Sequence, residues 1–312
     1  MITFLSGGTG TPPKLMRGGF RTLMEDHEMT VIVNTAEDMW FSGSHLSPDL
    51  DTVMYLFADL LDTERWWGGI EDDTTITSTF LEKIGYPEPL TLGGDKDRAI
   101  NIARAELLRA GMSLTEATKH LSSRLQCDAT ILPMCDTEVT TCIQSSGSEM
   151  HFQEYWVKHR GQVPVDAIIR RCSESPVATE QVLIAIHDAD AVIIGPSNPV
   201  TSISPPILEC EGVKEALRDQ FVIVISPFIG DAPVSGPAAE LMMAWDMAPN
   251  GQATYDLYRD FTDVFVQDIR DPVAIEGAVR LDTLMTDKEV TLALAESIQR
   301  IIDTAADPPR NA

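Results

Sequence analysis

The first fifteen residues, MITFLSGGTGTPPKL, decide the fold of this chain. Ile2 to Leu5 form an apolar run that suits a buried β-strand, and residues about 13–24 suit a helix. The loop Ser6-Gly7-Gly8-Thr9-Gly10-Thr11 lies between them, at the end of the strand. A second apolar run, Met29 to Val33, follows the helix. This strand–helix–strand order predicts a parallel sheet.

Later apolar runs extend the same pattern. They are Ala191 to Ile194, Phe221 to Ile225 and Val264 to Val266. The first two are followed by loops rich in Gly, Pro and Ser, which is where doubly wound folds bind ligands. Residues about 50–125 read as a helical region, and residues about 129–172 read as a small β-rich insertion. We therefore predict a single α/β domain over residues 1–312, with helices flanking a parallel sheet.

The composition excludes several classes of function. The chain has 48 acidic and 23 basic residues and a net charge of −25, so it should bind neither nucleic acid nor an anionic membrane. Its five cysteines form no CxxC pair, and its six histidines form no HxH or HExxH motif, which argues against a disulfide framework and a zinc site. Without a signal-like or membrane-spanning apolar stretch, we expect a cytoplasmic protein.

The glycine loop has two interpretations. Glycines allow close approach of the backbone to a ligand, and amide groups at a helix N-terminus attract phosphate. Thr9 and Thr11 could add hydroxyl donors, and Lys14 could add a charge. The sequence is neither a Walker A motif nor GxGxxG. Phosphate binding and a plain tight turn both remain open from the spacing alone.

Acidic residues follow the second strand and leave a similar choice. Asn34-Thr35-Ala36-Glu37-Asp38 comes first, and Ser47-Pro48-Asp49-Leu50-Asp51-Thr52 opens the next helix. Asp49 and Asp51 could compensate the helix dipole, or they could hold Mg²⁺ or take a proton from a hydroxyl group. The cluster Leu92 to Arg98, LGGDKDR, is either a helix cap with local ion pairs or a polar wall of a substrate cleft.

Several of these stretches together resemble one known family. The stretches, in chain order, are SGGTGTPPKL, VNTAEDMW, SPDLDTVMYLF, LGGDKDRA, ILPMCD, IGPSNPVTSI and SPFIGDAPVSGPA. They resemble the 2-phospho-L-lactate transferase family of archaeal coenzyme F420 biosynthesis. The resemblance implies a Rossmann-like fold with a largely helical region, and a homodimer. It also implies a Mg²⁺-dependent transfer from lactyl-2-diphospho-5′-guanosine, or a related phospho-acid donor, to the deazaflavin Fo, giving F420-0 and GMP.

The resemblance also implies roles for particular residues. Asp49 and Asp51 would be catalytic, at the Fo hydroxyl or as ligands of Mg²⁺. Residues expected to bind phosphate or guanosine are Gly7, Gly8, Thr9, Gly10, Thr11, Lys14, Ser197 and Asn198. Residues expected to bind Fo are Asp51, Asn34, Thr91, Asp95 and Lys96.

A competing function belongs to the same superfold. Proteins of the gluconeogenesis-factor type bind nucleotide sugars without catalysis and share the N-terminal GGTG loop. Their acidic segment continues as DDGGSSGRLR, whereas this chain has EDMWFSGSHLSPDLDT at residues 37–52, the form found in the transferases. The sequence therefore favours the enzyme.

Overall fold

The computed structural model describes residues 1–8, 10–64, 68–86, 88 and 93–306. The strands are β1 (Ile2–Ser6), β2 (Met29–Val33), β3 (Met39–Phe41), β4 (Ser44–Leu46), β5 (Thr130–Pro133), β6 (Val139–Ser145), β7 (Ser148–His151), β8 (Ala167–Cys172), β9 (Ala191–Ile194), β10 (Val222–Ile225), β11 (Phe228–Ile229), β12 (Ala232–Pro233), β13 (Val264–Asp268) and β14 (Val279–Leu281).

The α-helices are α1 (Thr11–Lys14), α2 (Arg21–Leu23), α3 (Pro48–Phe57), α4 (Ile76–Lys83), α5 (Asp95–Arg109), α6 (Leu114–Arg124), α7 (Glu180–His187), α8 (Val213–Arg218), α9 (Ala238–Met243), α10 (Gly251–Tyr258) and α11 (Lys288–Ala306). Wider π-helical segments are Leu15–Phe20, Glu154–Lys158 and Pro199–Ile207, and 3₁₀ turns are Asp26–Glu28 and Arg259–Phe261.

The main sheet is parallel throughout, with strand order β14-β13-β10-β9-β1-β2-β5. The chain starts at β1, moves outward through β2 to β5, and later resumes on the other side of β1 with β9, β10, β13 and β14. The strand order therefore reverses between β1 and β9. Doubly wound folds bind their ligands in the crevice that such a reversal opens at the carboxyl ends of the strands.

Both faces of the sheet are covered, which explains why its strands read as continuous apolar runs. Phe4 points into a core that includes side chains of α3 and α11, whereas the next residue, Leu5, points into a core that includes side chains of α7 and α8. Helix α3 is buried at every residue from Asp49 to Phe57. Asp49 and Asp51, in the first turn of α3, therefore lie in the interior of the protein.

The predicted fold class is confirmed, with changes at some boundaries. The apolar runs predicted as strands form β1, β2, β9, β10 and β13. The first helix begins at Thr11 rather than near residue 13, because Pro12 and Pro13 fit a first helical turn, where no backbone N–H is needed. It continues as the π-helical segment and α2, and ends at Leu23.

The two predicted sub-regions also have a clear structure. Residues 50–125 carry most of α3 and all of α4, α5 and α6. Placing Thr130–Pro133 in the β-rich insertion was wrong, because this strand is β5 and pairs in parallel with β2. A parallel partner needs a crossover connection, and the helical region supplies it. The separate antiparallel sheet starts only at Val139 and has the order β7-β6-β8.

No helix among the described residues is both long and apolar enough to span a lipid bilayer.

Candidate active site

The loops that follow β1 and β9 meet at the strand-order reversal. The backbone N–H of Gly7 donates to the hydroxyl Oγ of Ser197 over 3.1 Å, and both residues are buried. Further along, the Oγ1 atom of Thr11 lies 3.0 Å from the Oγ atom of Ser235, in the loop that follows β12. The structure therefore brings the loop after β1, the loop after β9 and the loop after β12 together at one edge of the sheet.

The glycine loop packs directly against the first turn of α3. A Cβ atom on Gly8 would lie 2.1 Å from the Cα atom of Asp49, and one on Gly7 would lie 2.7 Å from the Oγ atom of Ser202. Gly10 has a φ of +79°, which favours glycine. The glycines are required for close approach to α3 as well as for the turn. Thr9 lies outside the described residues, and Lys14 ends α1.

Asp49 is buried and accepts hydrogen bonds from two groups of the surrounding loops. Its Oδ2 atom accepts from the Asn34 side-chain amide over 2.8 Å, and the Gly8 backbone N–H also donates to its carboxylate. Burial raises the pKa of Asp49 to about 6, although these hydrogen bonds oppose the shift. Asn34 is held in turn by the Ala36 N–H, which donates to its Oδ1 atom over 3.0 Å. The predicted Asn34 and Asp49 therefore lie in direct contact.

Asp51 forms an ion pair with Arg104, a residue of α5 whose side chain has no solvent exposure. Each carboxylate oxygen accepts from one guanidinium nitrogen: Nη2 donates to Oδ1, and Nη1 donates to Oδ2 over 3.2 Å. The Ser47 N–H lies 3.4 Å from the same Oδ2 atom. Burial raises the pKa of Asp51, and Arg104 opposes that shift. Asp51 is thus buried and held in a fixed orientation.

Two further acids lie buried beside this pair. Burial and the neighbouring Asp49 raise the pKa of Glu37 well above its ordinary value, while the Gln153 side-chain amide donates to its Oε2 atom over 2.8 Å. Burial also raises the pKa of Asp38, whose carboxylate accepts from the Ser47 hydroxyl over 2.7 and 2.8 Å. The site therefore concentrates acidic groups where water is excluded, and their raised pKa values show that the ionised forms are costly unless a cation is near.

These acids fit a magnesium ion only in a restricted way. Within the part of the chain that the structure describes, no group of three His, Cys, Asp or Glu side chains is placed to hold a metal ion. Both oxygens of Asp51 accept from Arg104, which leaves Asp51 less free to bind a metal than Asp49, and its metal role stays a prediction. Mg²⁺ is commonly bound by one or two carboxylates together with substrate phosphates. Asp49, which accepts from no arginine among the described residues, is compatible with that form.

The predicted residues of the loop after β9 begin a helical segment. The Asn198 Oδ1 atom accepts from the N–H groups of Val200 at 2.9 Å and Thr201 at 3.4 Å, which caps Pro199–Ile207. Ser197 is buried against Gly7, as described above. This loop is therefore ordered by its own hydrogen bonds before any ligand is considered.

Asp95 and Lys96 of the LGGDKD cluster make local contacts, which include a helix cap, one of the two roles that the sequence left open. The Asp95 carboxylate accepts from the N–H groups of Ile76 and Thr77 at 2.9 Å each and from the Thr74 hydroxyl at 2.5 Å, so it caps α4. Lys96 donates from Nζ to the Glu71 carbonyl over 3.1 Å. Thr91 lies outside the described residues. Contact of these residues with Fo stays a prediction.

Sequence reasoning missed the residues of α5 that reach the site. Asp97, Asn101 and Arg104 are all buried, and their spacing places them on one face of the helix. The Tyr55 hydroxyl donates to the Asp97 Oδ1 atom, next to the Asp51–Arg104 pair. Burial and the charge of Asp51 raise the pKa of Asp97 to about 7. The signal in the sequence was polar residues at positions i, i+4 and i+7 of a helix, on the face expected to be apolar.

Known proteins resemble this chain over nearly its whole length. A family model described as 2-phospho-L-lactate transferase CofD matches residues 2–296. Proteins named 2-phospho-L-lactate transferase are 53% identical in Methanocorpusculum labreanum, over 95% of this chain and 97% of theirs, and 51% identical in Methanospirillum hungatei JF-1, over 97% and 99%. The crystal structure of a UPF0052 family protein from Bacillus halodurans superposes with a TM-score of 0.56 at 15% identity, covering 96% of this chain and 98% of that one. That likeness shows the fold alone.

Proposed function

This chain belongs to the 2-phospho-L-lactate transferase family, and we propose from that membership that it is a transferase of coenzyme F420 biosynthesis. Its acceptor would be Fo, and its donor would be lactyl-2-diphospho-5′-guanosine or a close relative carrying another small acid. A ribityl hydroxyl of Fo attacks the phosphorus next to the acid, and the bond from that phosphorus to the GMP oxygen breaks. GMP leaves with the bond electrons, and the phosphodiester F420-0 forms.

The observation that carries this proposal is the contact between the glycine loop and the first turn of α3. This contact brings the glycine loop beside Asp49, at the crevice where doubly wound folds bind nucleotides, which supports a phosphate-binding role for the loop. The N–H groups of Gly7 and Gly8 already donate to Ser197 and Asp49, so these glycines would line the crevice, and Gly10 and Thr11 would contact the diphosphate. Ser197 and Asn198 would lie on the other side of the crevice, toward phosphate or guanosine.

The two aspartates of α3 would divide the remaining work. Asp51, buried and with a raised pKa, would accept the proton of the attacking Fo hydroxyl. Asp49 would hold Mg²⁺ together with oxygens of the donor diphosphate. When bound, the metal would neutralise charge that develops on the departing GMP.

A direct assay tests the proposal. Purified protein would be mixed with Fo, MgCl₂ and guanosine diphosphate donors carrying lactate, enolpyruvate or glycerate, and F420-0 and GMP would be followed by mass spectrometry. We expect both products, and the preferred donor identifies the acid. No product together with tight binding of a nucleotide sugar would overturn the proposal in favour of a regulatory protein.

Replacing the proposed proton acceptor sharpens the test. We expect Asp51→Asn to lower kcat by about 100-fold or more, because general base catalysis contributes about 100- to 10,000-fold. The exposed Asp188→Asn serves as the matched control, with turnover like that of the wild type. An unchanged kcat in Asp51→Asn would remove the residue from the chemistry.

The expected homodimer is checked in the same preparations by light scattering.

A further inference from the structure

We infer that Arg104 is a positioning residue for the transfer reaction, which orients the Asp51 carboxylate toward the acceptor hydroxyl. The inference rests on the proposed function, because the proposed transfer supplies the Fo hydroxyl on which Asp51 acts. Arg104 itself lies on α5, in the middle of the helical region, and contacts the first turn of α3 through its ion pair with Asp51.

The geometry of the Asp51–Arg104 ion pair fixes the orientation of the Asp51 carboxylate as well as its distance from Arg104. The planar guanidinium donates to both oxygens of Asp51, so it restricts rotation of the carboxylate as well as its position. The Nη1 atom also donates to the His45 carbonyl over 3.1 Å, which ties the guanidinium to β4. A lysine has no planar fork and cannot make both contacts in the same way.

The surroundings of the guanidinium suggest a role beyond holding helices together. A buried ion pair is an inefficient source of stability, since the loss of hydration offsets much of the attraction. The Arg104 Nε–H has no hydrogen-bond partner among the described residues, and the same is true of the buried atoms Asn101 Oδ1 and His45 Nδ1. A purely structural arginine would be expected to use all of its donors. This guanidinium is instead placed by its two contacts with Asp51 and its contact with the His45 carbonyl.

A second contact between the same two helices supports the assignment. One turn along α3, the Tyr55 hydroxyl donates to Asp97 of α5, so α3 and α5 are joined by two buried polar contacts. The helical region thereby sets the position of the first turn of α3, where Asp49 and Asp51 lie. Arg104 is the contact of the two that reaches the proposed proton acceptor.

The test compares Arg104→Met and Arg104→Lys with Arg109→Met. Arg109 is a matched control because it lies on the same helix and donates to the Gly43 carbonyl of the same β3–β4 hairpin, but its other hydrogen bond is to Glu106 rather than to Asp51. Each variant would be measured for melting temperature, for kcat and KM with Fo and with the guanosine donor, and for Fo affinity by deazaflavin fluorescence.

We expect Arg104→Met to lower kcat by about 100-fold, the loss typical of a misplaced catalytic group. Fo affinity should fall by about tenfold, because the Fo hydroxyl loses its hydrogen bond to the displaced Asp51 carboxylate. The donor KM should stay within about twofold of the wild type. Arg104→Lys should recover part of kcat, and Arg109→Met should match the wild type. In Asp51→Asn/Arg104→Met, kcat should be no lower than in Asp51→Asn, since the two residues act as a unit.

The outcomes separate this inference from the proposed function. If the wild type turns over and folded Arg104→Met has the same kcat and Fo affinity, the positioning role is overturned while the transferase stands. If Arg104→Met does not fold, Arg104→Lys decides by the same measurements. If the wild type makes no product, the proposed function fails, and the positioning role in the transfer is overturned with it.

Discussion

Two buried aspartates at the carboxyl edge of the sheet differ sharply in how their charge is satisfied. Asp268, at the end of β13, accepts from Arg270 Nε at 2.8 Å and Nη2 at 2.9 Å, and from the Thr283 N–H at 2.8 Å and hydroxyl at 2.9 Å. Burial alone would raise its pKa, but these hydrogen bonds outweigh burial and lower the pKa to about 2. Among the described residues Asp49 has fewer donors, and burial raises its pKa to about 6.

The difference separates a structural carboxylate from one available for chemistry. Asp268 has its hydrogen-bonding capacity filled by its own chain, and it fastens the loop containing Thr283 to the sheet. Asp49 has capacity left for a ligand, and its ionised form is costly as long as no cation is near. Burial by itself would not have told the two apart, since both side chains are buried.

The largest effect should come from the loop that presses on Asp49. Gly8→Ala places a Cβ atom 2.1 Å from the Asp49 Cα atom, so the loop or α3 must move. We expect kcat to fall by about 100-fold or more, because small displacements of reacting groups are that costly. The steady-state rate of F420-0 formation measures this loss of kcat.

Gly68→Ala is the control for that substitution, because its nearest neighbour would be the Thr52 Oγ1 atom at an ordinary 3.8 Å. Equal turnover in the two variants would show that the close approach of Gly8 to α3 does not matter for the site.

A stability effect without a kinetic one is expected at the structural aspartate. Asp268→Asn should lower the free energy of unfolding by about 2 kcal/mol, the scale of hydrogen bonds to a charged group, with kcat unchanged. Because the folded pKa of about 2 lies below the ordinary 3.8, the carboxylate stabilises the protein above about pH 4, and that stabilisation is lost as the pH falls through 2. Urea unfolding of both proteins between pH 3 and pH 7 should show the difference shrinking at the acid end.

The opposite sign is expected at the functional aspartate. The folded pKa of Asp49, about 6, lies above the ordinary 3.8, so ionisation destabilises the fold as the pH rises from about 4 to 6. Asp49→Asn removes that penalty and should raise the free energy of unfolding at pH 8 by about 1 kcal/mol, with no gain below pH 4, while turnover is lost. Urea unfolding of both proteins without metal ions, at pH 8 and below pH 4, measures this change in the free energy of unfolding. A loss of stability at pH 8 would show that Asp49 is satisfied in the way Asp268 is.

The sequence predicted the parts of this contrast that depend on local pattern. Gly7, Gly8 and Asp49 were candidates because they lie in loops that follow apolar runs, and the family resemblance then implied their roles as site residues. Arg104 was not, since a helical pattern shows which face is buried but not what it meets. The role of Asp95 as the cap of α4 likewise depends on contacts with residues about twenty positions earlier in the chain. Pairings of this length arise from packing, and a single sequence does not display them.

The complete burial of α3 has a consequence for anyone who wishes to change the donor preference of this protein. Every residue from Asp49 to Phe57 contributes to the interior, so a random library directed at this helix would mostly return unfolded chains. The loops after β9 and β12 lie at the same edge, and with Asn198 kept as the cap of Pro199–Ile207, exposed positions such as Ser235 can accept new side chains with far less disturbance. Engineering of acid or nucleotide selectivity should therefore diversify these loops and leave α3 as it is.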